Sequence, residues 1–131
     1  MTLDVTRQAL ETMVAAAAQA APEEACGLLL GENGRVTQAR ATPNVALEKA
    51  TRFEIDPQAL FDAHRAARGG GPQLLGYFHS HPAGPPEPSA TDRELASGDG
   101  KVWAIVAQGM VRFWRDDAKG FEPLSYSLVE A

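Results

Sequence analysis

The segment ACGLLLGENGRVTQARAT, residues 25–42, does most to restrict the fold, because an apolar run, then Asn33-Gly34, then an alternating segment follow one another directly. Asn-Gly accepts the positive φ values that a two-residue hairpin turn demands, so this segment predicts two antiparallel strands joined at that dipeptide. Just upstream, VTRQALETMVAAAAQAAP sets Leu10, Met13, Val14 and Ala17 at helical spacing. That pattern predicts an amphipathic helix which stops near Pro22 and covers a sheet.

Farther along, PNVALEKAT has no period and reads as a loop, while RFEID reads as a short strand leading to Pro57. Proline suits the first turn of a helix, here running through QALFDAHRAAR and ended by GGGP. QLLGYFHSH is then a strand, PAGPPEP is irregular, and SATDRELASG is a short helix with a Ser or Thr cap. KVWAIVAQ, MVRFWRDD and FEPLSYSLV complete the chain as strands, the first two joined by a turn around Gly109. Hairpins mixed with helices between strands predict an α/β or α+β sheet flanked by helices. At 131 residues, with 44% hydrophobic and 22% charged residues and no linker or repeat, residues 1–131 are expected to form one domain.

Charge and cysteine content exclude several classes. The formal net charge is −5 and the twelve Lys and Arg are scattered, which argues against a nucleic-acid partner. The single cysteine, Cys26, permits neither an internal disulfide nor a CxxC metal knuckle, and fits a reducing cytoplasm. No leader pattern opens the chain, and no apolar run approaches the roughly 20 residues needed to span a bilayer, so a soluble, unprocessed cytoplasmic protein with no membrane partner is expected. Whether it forms a homodimer is left open.

The chemistry is concentrated in HSHPAGPPEPSATD, residues 79–92. On a strand, residues two apart share a face with Cα atoms about 6.6 Å apart, so His79 and His81 aim together. A catalytic zinc site wants a third protein ligand and an open position, and Asp92 is available for it. The proline-rich PAGPPEP limits the freedom lost when the chain returns, and the first turn of the next helix favours an ionised Asp92. A plainer reading stands beside this one: SATD is also a capping-box pattern with Ser89 at the cap. Zinc is the favoured ion for two imidazoles and a carboxylate, with iron and manganese open. Either Glu23 or Glu24, in PEEACGLLLG, is placed to act as general base, and Ser89 to donate to an oxyanion.

Together these residues resemble the JAMM, or MPN+, metallopeptidase family, whose pattern is a Glu before an early strand, then His-x-His, seven residues and Ser-x-x-Asp. Glu24, His79, His81, Ser89 and Asp92 match it, and EACGLLLG, PNVA and RFEIDP are similar to segments of the short bacterial members. The resemblance implies that His79, His81 and Asp92 ligate Zn2+, that Glu24 is the general base, and that Ser89 stabilises the oxyanion. Glu23 is then an exposed neighbour. It also implies a curved mixed sheet flanked by helices, similar to the cytidine-deaminase fold. The expected reaction is hydrolysis, by a metal-activated water, of the amide bond after the C-terminal Gly-Gly of a ubiquitin-like sulfur-carrier protein.

Other residues carry less. Cys26, at the start of an apolar strand, is expected to be a small buried residue rather than a nucleophile. His64 lacks a partner at ligand spacing and is read as structural. Trp103 and Trp114 are read as core or half-buried, with lining of the substrate groove as the alternative. Asn44 lies in the loop after the hairpin and is given no role. A non-catalytic interaction module is the rival from another class, disfavoured because all five residues are present. A DNA-repair protein would need a basic face, and a zinc deaminase would need the missing CxxC.

Overall fold

The computed structural model describes residues 2–130 of the chain. Asn33 and Gly34 have φ of 35° and 78°, the left-handed pair that the hairpin needs. They join β2 (Cys26–Glu32) to β3 (Arg35–Thr42), paired antiparallel from Cys26↔Thr42 to Glu32↔Arg35. Before them lie β1 (Thr2–Thr6) and helix α1 (Arg7–Ala20); after them come α2 (Pro57–Arg68), β4 (Gln73–Ser80), α3 (Ala90–Leu95), β5 (Val102–Ala107), β6 (Met110–Asp117) and β7 (Gly120–Val129). The β5–β6 turn is a second left-handed pair, Gln108 and Gly109.

Strand order is β1-β3-β2-β4-β5-β6-β7, and parallel pairing of β1 with β7 closes the sheet into a barrel. β1 also runs parallel to β3, and β4 to β5; the other neighbours are antiparallel. The expected curved mixed sheet with helices is therefore present, and its curvature runs to closure. Gly76 is required where β5 meets β4, because a Cβ there would overlap the Val102 carbonyl.

Two sequence expectations need correction. Val5 and Thr6, expected in the first helix, belong to β1, where Leu3 and Val5 are buried by pairing with distant β7 and β3. The helix starts one residue later, with Thr6 as cap: its side chain accepts from Ala9 N–H at 3.2 Å. RFEID is not a strand but a loop with one isolated bridge, Asn44↔Ile55, because its backbone groups bond to the Asn44 side chain instead of a neighbouring strand. Asp56 and Pro57 start α2 as expected, Asp56 accepting from Gln58 N–H at 3.1 Å.

The sheet separates two apolar clusters, and the strand period of two decides which side chain enters which. Phe78, Leu29, Ala104 and Phe113 pack with Met13 and Ala9 of α1. Leu28, Leu30 and Cys26 pack with Ala63 and Leu60 of α2 and with Phe53. Phe78 is fully buried, and truncating a core Phe to Ala typically costs about 3–5 kcal/mol. His79, next in β4, therefore faces the α2 side, where the loop after β3 covers it. Among the described residues no helix is long and apolar enough to cross a membrane.

Candidate metal centre

Antiparallel register brings together residues far apart in sequence. Cys26 lies opposite His79 across β2 and β4. One step farther, Ser80 N–H donates to Ala25 O at 3.0 Å and Ser80 Oγ accepts from Ala25 N–H at 2.8 Å. That alignment carries Glu24, just outside β2, to the level of His81, just outside β4. His81 extends the parallel pairing to β5 by donating its N–H to Val106 O at 2.8 Å.

The third group arrives on α3. Ser89 caps that helix: its Oγ accepts from Asp92 N–H at 3.0 Å, and its own N–H donates to Asp92 Oδ2 at 2.9 Å. The capping-box reading of SATD is thus correct, and it is compatible with the ligand reading, because the cap aims the Asp92 carboxylate at the histidines. Asp92 lies 3.1 Å from His79 Nε2 and 3.0 Å from His81 Nε2, and the two Nε2 atoms are 3.1 Å apart. The three residues' ligand atoms fall within 4.8 Å of one another; His79 and Asp92 are buried, and the His81 side chain is 8% exposed.

This donor set fits a divalent cation. Ligands at about 2.0–2.2 Å in a tetrahedron stand roughly 3.3–3.5 Å apart, only a few tenths of an ångström more than the present separations. His81 Nδ1 lies 2.8 Å from Pro85 O, and a carbonyl can only accept, so Nδ1 carries the proton and the neutral ring presents a lone pair at Nε2. A lone pair and a carboxylate oxygen at this distance require a positive charge between them, either a proton or a metal ion. Glu24 Oε1, buried without a hydrogen-bond partner among the described residues, adds an unsatisfied acceptor beside the cluster.

Electrostatics follow from burial and these contacts. Burial pushes the Glu24 carboxyl up to about 7, with the His81 charge opposing and the Asp92 charge adding. Burial also lowers His79. For Asp92 burial acts upward, but its close contacts with both histidines and the hydrogen bond from Ser89 N–H hold it well below the usual carboxylate range.

The return loop is held at three successive carbonyls. Gly84 O accepts from Gln108 Nε2 at 3.2 Å, Pro85 O from His81 Nδ1 at 2.8 Å, and Pro86 O from Trp114 Nε1 at 3.3 Å. Stiffness from proline is therefore only part of the restraint. Glu24, His81 and Ser89 line one open groove of about 520 Å³ with Pro82 and Thr51.

The remaining residues sort clearly. Glu23 is exposed, and Cys26 is buried with its thiol against Thr42 and Pro43. His64 is exposed on α2 and is not part of the clustered ligand group. Trp103 is buried and meets His79 edge to face with centroids 5.6 Å apart, while Phe53 stacks on the same imidazole at 4.3 Å. Both rings also line an apolar groove of about 260 Å³ that includes Leu95 and Tyr77. Sequence reasoning missed Phe53, because nothing in RFEID marks one aromatic residue as the cover of a distant histidine.

Fold and site define a mixed α/β protein in which a His-His-Asp cluster, able to hold a metal, faces a groove beside a buried glutamate. The chain belongs to the family of prokaryotic homologs of the JAB domain, whose model matches residues 6–117. It is similar to the desampylase of Haloferax volcanii, 41% identical over 88 residues, which are 66% of this chain and 63% of that protein. It is similar also to the CysO-cysteine peptidase of Mycobacterium tuberculosis, 30% identical over 99 residues, 75% of this chain and 68% of that one. The match to the Haloferax protein thus spans under two thirds of its length. Among solved structures, protein DSY2949 from Desulfitobacterium hafniense superposes with a TM-score of 0.88 at 31% identity, covering 99% of this chain and 94% of that chain.

Proposed function

We propose that this protein is a zinc-dependent peptidase that hydrolyses the amide bond after the C-terminal Gly-Gly of a ubiquitin-like sulfur-carrier protein. The observation that carries this reading is the convergence of His79, His81 and Asp92 within 4.8 Å, beside a groove shared by Glu24 and Ser89. His79, His81 and Asp92 hold the ion, and zinc suits two imidazole nitrogens and one carboxylate oxygen. A bound divalent ion supplies Lewis acidity, polarising the scissile carbonyl and making water easier to deprotonate.

The protein's own groups do the rest. Glu24 takes a proton from the attacking water and returns it to the leaving amine. Ser89 Oγ accepts from Asp92 N–H, which leaves its hydroxyl proton free to donate to the oxyanion. A Gly-Gly tail suits the groove because a side chain there would prevent close backbone approach. The names of the two relatives, a desampylase and a CysO-cysteine peptidase, support a protein conjugate as substrate. In this reading residues 1–131 act as one domain in a reducing cytoplasm, with the sulfur carrier as partner and a second copy of the chain left open.

The test is incubation of the metal-loaded protein with Gly-Gly-ending ubiquitin-like proteins that carry a C-terminal extension, followed by intact mass measurement. The expected product is the carrier ending in Gly-Gly. Absence of stoichiometric metal after zinc is supplied would refute the reading.

A further inference from the structure

We propose that Asn44 is a positioning residue that locks Glu24 to the loop covering His79. One half-buried amide uses its full capacity here. Nδ2 donates to Glu24 O at 3.1 Å and to Arg52 O at 3.0 Å, while Oδ1 accepts from Ala46 N–H at 3.0 Å and from Glu54 N–H at 3.1 Å. Arg52 and Glu54 flank Phe53, the ring stacked on His79. Asn44 therefore fixes, through a single rigid plane, the backbone of the carboxylate and the two neighbours of the aromatic cover.

The surrounding bonds make this link unusual. Glu24 N–H donates to Lys49 O at 2.7 Å, so both backbone groups of Glu24 are satisfied from the loop 43–55 or its anchor. The bridge Asn44↔Ile55 closes the loop at its other end. The Glu24 carboxylate, by contrast, has in Oε1 an oxygen with no partner among the described residues, so its aim is set by backbone placement rather than by a side-chain contact there. Holding the backbone is how this fold aims the base.

The inference rests on the reading of Glu24 as general base. Aspartate is the sharpest substitution: it keeps the acceptor facing Ala46 and Glu54 but turns an oxygen toward two carbonyls that need donors. Asn44→Asp and the milder Asn44→Ser are compared with the full-length wild type in three measurements: kcat and KM on an extended Gly-Gly carrier, metal per chain, and amide hydrogen exchange by segment. Asn44→Asp is expected to lower kcat by about 10- to 100-fold, the usual effect of losing a group that orients a site residue, with full metal content. KM should stay within about threefold. Asn44→Ser, which retains one short donor, is expected to fall between the two, and it decides the matter if the aspartate variant does not fold. Exchange should quicken together at 24–26 and 43–55, with β4 and β5 unchanged.

A kcat within about twofold of wild type in both variants overturns the proposal. So does loss of metal, which would place Asn44 in support of the ligands, or a raised KM at unchanged kcat, which would place it in substrate docking. If the wild type holds metal but cleaves nothing, the role of Glu24 as base fails separately. The exchange data then decide the link: loosening confined to 43–55 overturns it, and joint loosening with 24–26 supports it.

Discussion

The imidazole of His79 lies face to face with the ring of Phe53, centroids 4.3 Å apart and planes 14° from parallel. His79 is fully buried and its Nδ1 has no hydrogen-bond partner among the described residues, so stacking, with the edge of Trp103, fixes the ring plane where many metal-binding histidines use a carbonyl or carboxylate. Phe53→Ala should therefore weaken metal binding by about tenfold, measured by competition with a chromophoric chelator. Unchanged affinity would mean that β4 alone orients His79.

Glu24→Gln separates base from ligand. The variant should keep metal at one ion per chain and lose about 100- to 10,000-fold in turnover, as expected when a general base is removed. Burial raises the Glu24 carboxyl to about 7 and a bound cation opposes that. A general base works when ionised, so if Glu24 has that role wild-type turnover should fall on acidification, with its midpoint at or below about 7. Wild-type turnover in the glutamine variant would reassign the base, with Glu23 tested next.

Trp114 holds the return loop from the far strand β6 by donating Nε1–H to Pro86 O at 3.3 Å. Trp114→Phe keeps most of the ring and removes the donor. Proteolysis within residues 82–88 should become faster and metal affinity should drop, by roughly two- to tenfold, because Pro85 O is then less firmly set against His81. Limited proteolysis and chelator competition on one preparation measure both effects.

Burial pushes the Cys26 thiol up, and its residue is 1% exposed. The thiolate is the reactive form, so at pH 8 the native protein should resist iodoacetamide and react only when unfolded. Rapid alkylation of the native protein, with loss of hydrolysis, would revive Cys26 as a nucleophile.

Much of the fold was legible wherever a local signal had a local cause. Asn33-Gly34 named its own turn and Pro57 its helix start, and β4 to β7 were each read as strands in their own segments. Val5 and Thr6 were misread as helix, and Thr2–Asp4 drew no reading, because the strand character of β1 comes only from pairing with β3 and β7. RFEID was misread for the opposite reason: its strand-like composition is overruled by bonds to the side chain of Asn44.

By itself the sequence determined the inventory of the site: His79, His81 and Asp92 at ligand spacing, Ser89 at a cap and Glu24 before a strand, since spacing along one short segment follows from strand and helix periods. It did not determine which side chains would surround them. Only the tertiary structure decided that Glu24 stands level with His81, that Phe53 and Trp103 enclose His79, and that Trp114 and Gln108 hold the loop. Those contacts depend on β-sheet register and barrel closure, and the pairings that set them join segments distant along the chain.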